Sequence, residues 1–185
     1  WLGYNKRADF KAIGEKYHID PVVARILVNR DVGDDASIAA YLHPSKKDFG
    51  DAGLLQDMDK AIALLQKAIQ QNTKIRIIGD YDIDGIQSTY ILHQGLLRVG
   101  ADADYAIPDR IEDGYGVNIR LMERCVMDGI GLVITCDNGI AAFDAVRKAK
   151  EYGMRVIVTD HHDIPYDTDE NDIRVYKVPE ADAVI

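Results

Sequence analysis

The amino-acid sequence predicts an α/β fold: a parallel β-sheet flanked by helices, preceded by a small helical N-terminal region. Three observations carry this. From Lys74 onward, short apolar runs alternate with helical patterns of about ten to fifteen residues, as right-handed βαβ units require. The runs are continuously apolar, as in Val156-Ile157-Val158, which suits strands covered on both faces. The residues before Asp59 show helix signals and no such run.

Taken in order, Pro21 opens a helix through Val22-Val23-Ala24-Arg25-Ile26-Leu27-Val28, because proline is tolerated at the first helical position. Asp34 to Leu42 predicts a second short helix, ended by His43-Pro44. Residues 45–56 are loop-like, with Gly50 and Gly53. Met58, Ile62, Leu65 and Ile69 then recur at helical spacing, one apolar stripe on a helix. The run 75–79 is β-rich; beyond it a helix fits 86–99, a strand 103–107, a helix 117–128, a strand 131–136, a helix 141–152 and a strand 155–159. Ala183-Val184-Ile185 begins another strand. The expected division is a helical region over 1–58 and the α/β domain over 59–185. The acidic stretch 167–172 reads as a solvated loop, and His18, His43 and His93 as ordinary helix or loop residues.

Of the 185 residues, 47% are apolar and 29% charged, the balance of a folded chain rather than a disordered one. No stretch approaches about eighteen consecutive apolar residues, so no membrane span is expected. No secretory signal is visible behind Trp1. Cys125 and Cys136 form no CxxC pair and no disulfide framework, which suits a reducing, cytoplasmic setting. Cys136 lies in an apolar run and reads as a small buried residue rather than a nucleophile. The formal net charge of −9 speaks against a basic nucleic-acid-binding face. That argument weakens if the carboxylates hold divalent cations, which are then the largest local charges.

The chemistry gathers at three strand endings. The run 75–79 ends in Asp80-Tyr81-Asp82-Ile83-Asp84-Gly85, the run 131–136 in Asp137-Asn138-Gly139, and the run 155–159 in Asp160-His161-His162-Asp163. Open α/β sheets bind ligands at the carboxyl ends of their strands, so all three groups are expected at one edge. So many like charges repel unless cations neutralise them, and oxygen ligands with imidazoles suit Mn²⁺ or Mg²⁺. Two such ions would serve phosphoester hydrolysis. Asp80, Asp82 and Asp84 alternate and would share one face of an extended chain, with Gly85 permitting a tight turn and Gly139 another. Other readings exist for each piece. The first motif also resembles an EF-hand opening, but the twelfth position from Asp80 is Ile91, where that loop needs Glu. Asp137 alone would serve as a helix N-cap, and the histidine pair alone as surface residues.

Together these motifs resemble the signature of the DHH phosphoesterases, named for the triplet present here as Asp160-His161-His162. Within that family the chain is similar to the RecJ-like single-strand DNA exonucleases. The resemblance rests on Gly79 to Gly85, Ile107-Pro108-Asp109-Arg110, Gly114-Tyr115-Gly116, Asp137-Asn138-Gly139-Ile140 and Thr159 to His162. Val23 to Arg30 and Leu54 to Ala61 also resemble that group, so the likeness covers nearly the whole chain. It implies a 5′-to-3′ exonuclease on single-stranded DNA, serving recombination and repair with two Mn²⁺ or Mg²⁺ ions. It implies that Asp80 and Asp82 face one metal, that Asp84 and His161 face the other, and that Asp137 bridges them. His162 would touch the scissile phosphate, and Asp160 would orient its neighbours. Arg110 is a candidate phosphate contact, with a surface arginine as the alternative. Tyr115 would stack on a base or pack in its glycine-rich turn.

Members of that group continue into a further metal-binding Asp, a linker and a second domain that clamps DNA. The 185 residues here stop at Ile185, so they are expected to be weakly active or inactive alone. Two rival readings stand beside the exonuclease. Relatives hydrolyse pyrophosphate, short oligonucleotides or cyclic dinucleotides, usually with a histidine in the first motif where this chain has Asp80. Others lack the metal ligands and act as scaffolds, against which the full set of acids here argues.

Overall fold

The structure, a computed structural model, describes residues 6–109 and 116–185. Two compact units divide it, Trp1–Asp51 and Ala52–Ile185. The first holds α1 (Phe10–Tyr17), α2 (Pro21–Asn29) and α3 (Asp35–Leu42) around buried Ala24, Leu27, Val28 and Ile38. Aspartates cap all three: Asp9, Asp20 and Asp34 accept from backbone N–H groups of the first turns, satisfying donors the helix leaves unpaired.

In the second unit α4 (Met58–Gln70) leads into β1 (Ile75–Gly79), α5 (Ile83–Arg98), β2 (Ala103–Ala106), α6 (Ile119–Met127), β3 (Leu132–Cys136), α7 (Phe143–Glu151) and β4 (Arg155–Thr159). A ribbon of β5 (Tyr166–Thr168) and β6 (Arg174–Tyr176) follows, then β7 (Ala183–Val184). The main sheet has five parallel strands in the order β2-β1-β3-β4-β7. Strand alternation sends Ile78, Val133, Val156 and Val158 to one apolar cluster, with residues of α6 and α7. Ile75, Ile77, Leu132, Ile134 and Ile157 go to the other, with residues of α4 and α5. Both faces are therefore dry, which is why these strands read as unbroken apolar runs. Among the described residues no helix is long and apolar enough to cross a membrane.

The parallel sheet and its flanking helices are as the sequence predicts, and the differences are local. α1 carries no expectation from the sequence. α5 begins at Ile83, three residues before the expected 86, because Asp82 caps it by accepting from the Gly85 N–H at 3.0 Å. Asp84 thus lies in a helical turn, and the shared extended face expected of Asp80, Asp82 and Asp84 does not form. Gly85 makes no left-handed turn either. It allows close approach, since a Cβ there would meet Asp80 backbone atoms at 2.5–2.6 Å. The stretch read as an acidic loop, 167–172, is the exposed tip of the β5–β6 ribbon.

Candidate metal centre at the strand ends

The chain leaves β1 toward β2 on one side and, by way of β3, toward β4 on the other. β1 and β3 are neighbours, so the loops after them diverge and open a crevice, the usual ligand position of an open sheet. Asp80 follows β1 and Asp137 follows β3, both buried. Asp137 takes a left-handed backbone, φ 61°, with Gly139 at φ 108°. Such a conformation is uncommon outside glycine and marks a constrained loop. The N-cap of α7 is Ala142, so Asp137 does not serve as a helix cap.

Two donor groups form. Carboxylate oxygens of Asp80, Asp82 and Asp137 lie within 4.8 Å of one another, and so do donor atoms of Asp137, His161 and His162. Asp137 belongs to both. Its Oδ1 is 2.8 Å from His161 Nε2, and the two histidine rings meet edge to face at 4.9 Å. Asp160 has a different part. Its Oδ2 accepts from the Ile140 N–H at 2.8 Å, and its Oδ1 from the His162 N–H at 3.1 Å and from Nδ1 at 2.7 Å. With its side chain 2% exposed, Asp160 orients His162 and ties β4 to the loop after β3.

Charge follows position. Burial, and then the charge of Asp82, hold the Asp137 carboxyl above its ordinary value, against the pull of His161. Burial would also raise Asp160, but the Ile140 and His162 bonds bring it below the ordinary value. The Asp160 bond in turn raises His162, against the effect of burial. Among the described residues no lysine or arginine pairs with Asp80, Asp82 or Asp137. Three crowded carboxylates with two imidazoles and no organic counter-cation are a donor set that fits Mn²⁺ or Mg²⁺.

Asp84 stands outside both groups. It lines an adjoining cavity of about 510 Å³ with Gln87, Ser88, Asp137 and His161. Sequence reasoning missed Gln87 and Ser88, though their helical spacing from Asp84 places all three on one face of α5. A second cavity, about 260 Å³, is lined by Asp160 and His162 and reaches Asn138, whose buried side-chain amide has no partner among the described residues. Arg110 and Tyr115 lie outside the described residues. Cys125 and Cys136 are free and buried.

Fold and site together define an open-sheet α/β domain of the kind that binds its ligand at strand ends, with carboxylates and imidazoles as the ligand-facing groups. The chain belongs to the DHH family: that family's N-terminal domain matches residues 74–184. The single-stranded-DNA-specific exonuclease RecJ of Bacillus subtilis (strain 168) is 40% identical over 153 residues, 83% of this chain and 20% of that protein. The same-named protein of Thermus thermophilus is 41% identical over 145 residues, 74% of this chain and 21% of its own length. A crystal structure of exonuclease RecJ bound to manganese matches with 36% identity and a TM-score of 0.60, over 74% of this chain and 32% of that one. The Mn²⁺ complex of RecJ from Thermus thermophilus matches with 28% identity and a TM-score of 0.59, over 99% of this chain and 24% of that one. The chain spans about a fifth of the length of these curated relatives.

Proposed function

We propose that this chain carries the metal-binding half of a phosphodiesterase site and serves 5′-to-3′ degradation of single-stranded DNA in recombination and repair. The observation that carries the reading is Asp137, one buried carboxylate common to two adjacent donor groups, as a pair of cations needs. Manganese in similar RecJ structures and the named substrate of the curated relatives support it.

In this reading Asp80, Asp82 and Asp137 hold one ion, and Asp137 with His161 holds the second, with Asp84 facing it from α5. The ions would supply Lewis acidity toward a phosphoryl oxygen and an acidified water. The protein's own part is positional. Asp160 accepts a hydrogen bond from His162 Nδ1 and fixes the ring, and by favouring the imidazolium it leaves an Nε2–H to donate to a phosphate oxygen. The first N–H groups of α5 add a positive helix end beside the carboxylates. Arg110 and Tyr115 are proposed as phosphate and base contacts. The two free cysteines suit a cytoplasmic location.

The test is digestion of single-stranded DNA labelled at either end, with Mn²⁺, by the full-length protein and by this chain. Full-length protein should release label from the 5′ end first, and Asp137→Ala should abolish release. The chain alone should be weakly active or inactive. Release from the 3′ end, or activity indifferent to Asp137, would refute the reading.

A further inference from the structure

The ribbon that follows the strand-end histidines has one face of distinctive chemistry. Its register pairs Tyr166 with Tyr176 and Thr168 with Arg174, so these four side chains share a side. The tyrosine rings meet edge to face at 5.8 Å, and the Arg174 guanidinium carbon stands 4.5 Å from the Tyr166 ring centre. Tyr166 is 46% and Tyr176 57% exposed. Alternation carries the same side toward exposed Ile164 and Val178.

Of the acids of the ribbon, Glu170 and Asp172 lie in the exposed turn between the strands, and two are engaged away from the tyrosine face. Asp167 pairs with Val175 in the register, which puts it on the opposite face, and it bonds Lys177 there. Asp169 is occupied within the turn, accepting from the N–H groups of Asn171 and Ile173. Asp163, two residues before Pro165, is the carboxylate whose charge reaches Arg174.

Flat rings beside a guanidinium form a surface on which bases of any identity stack, while the cation attracts phosphate. A basic or purely apolar partner would meet Arg174 unfavourably. The platform also follows the site closely in the chain: Asp160, His162 and Asp163 line one cavity, and β5 begins three residues after Asp163. We propose that the Tyr166–Tyr176–Arg174 face is a stacking platform for unpaired nucleobases, holding single-stranded DNA beside the carboxylate–imidazole cluster; this rests on the phosphodiesterase reading above.

The experiment is fluorescence anisotropy of a labelled oligothymidylate with this chain, in EDTA and at low salt. Tyr166→Ala and Tyr176→Ala should each weaken binding roughly tenfold, as loss of one stacking ring does. Tyr166→Phe and Tyr176→Phe keep the ring and should bind within about twofold of the unaltered chain. Arg174→Lys keeps charge but not the plane and should also weaken binding. Hydrolysis of a small diester, bis(p-nitrophenyl) phosphate, by the full-length protein with Mn²⁺ is measured beside it and reports on the metal centre alone. Alanine variants that bind as tightly as the unaltered chain overturn the platform, whether or not the diester is cleaved. No binding by the unaltered chain overturns it as well. Ribbon-dependent self-association in sedimentation, with DNA binding indifferent to the substitutions, overturns it in favour of a second copy of the chain. Loss of binding in the alanine variants with no diester cleavage by the full-length protein leaves the platform standing and removes the catalytic reading.

Discussion

Asp137→Asn should separate the two demands that the site makes on the fold. The substitution removes the one carboxylate shared by both donor groups, so it weakens both cation positions at once. A cation present at a hundred times its Kd stabilises a fold by about 2.7 kcal/mol. For a chain of this size each kcal/mol moves Tm by roughly 2–4 °C, so Mn²⁺ should raise the transition of the unit Ala52–Ile185 by roughly 5–11 °C. In the variant the shift should fall below about 2 °C. Without metal the sign reverses. Burial, and then Asp82, hold Asp137 above the ordinary carboxylate value, so its charge destabilises the folded chain at neutral pH. In EDTA the neutral amide should melt at or above the unaltered chain. Asp84→Asn leaves Asp80, Asp82 and Asp137 in place and should keep the part of the manganese shift that the first ion supplies. Thermal denaturation by circular dichroism, with and without Mn²⁺, reads all of this. A full manganese shift in Asp137→Asn would show that the shared ligand has been misplaced.

Other consequences concern the frame around the site. Asp182, its side chain 9% exposed, accepts from Lys150 at 2.6 Å, Arg155 at 2.7 Å and the Val156 N–H at 2.9 Å. Burial would raise its carboxyl, but these bonds bring it below the ordinary value. Its contribution is therefore present above the unfolded pKa of about 3.9 and lost as pH falls through the lower folded value. Asp182→Asn should flatten the acid limb of a stability-against-pH curve, and an unchanged limb would sink the assignment. Gly85→Ala should cost about 1–3 kcal/mol by urea unfolding, because its Cβ meets Asp80 backbone rather than a side chain that can move. A neutral result there would mean that the approach of α5 to β1 is looser than it stands. Arg76 reaches Asp104 through two bonds and Asp128 through a third. Arg76→Lys loses the planar fork and should cost about 1–2 kcal/mol, discounted for the half-exposed acids; a cost near zero would show the fork idle.

The sheet was legible because burial on both faces leaves little freedom in composition. Val133, Ile134, Val156, Ile157 and Val158 have no solvent side to betray, and each run stops at an aspartate. α1 was not legible. Phe10–Tyr17 has Gly14 at its centre, which weakens the helix signal. That glycine is required by a contact invisible in sequence, since a Cβ there would stand 2.7 Å from the Ile19 carbonyl oxygen. The start of α5 was misjudged for a related reason. An aspartate read as a ligand hides an aspartate acting as a cap, and Asp82 is placed to do both. The β5–β6 ribbon was obscured by the acids around its turn, which outweigh two three-residue strands.

The position of the acids follows from topology once the strand order is known. A parallel sheet has one place where neighbouring strands send their chains apart, and here it lies between β1 and β3. Asp80 and Asp137 occupy both sides of that gap, and β4 supplies its histidines from the next strand over. A fold selected for stability alone would not bury two carboxylates beside a third with no lysine or arginine among the described residues to pair them, since each costs desolvation and mutual repulsion. Elsewhere the same chain pairs its part-buried charges, as Arg76 and Asp182 show. Asp80, Asp82 and Asp137, paired with no lysine or arginine among the described residues, are thus a local exception in a protein that otherwise follows the rule, and exceptions of that kind mark where a fold gives up stability for a ligand.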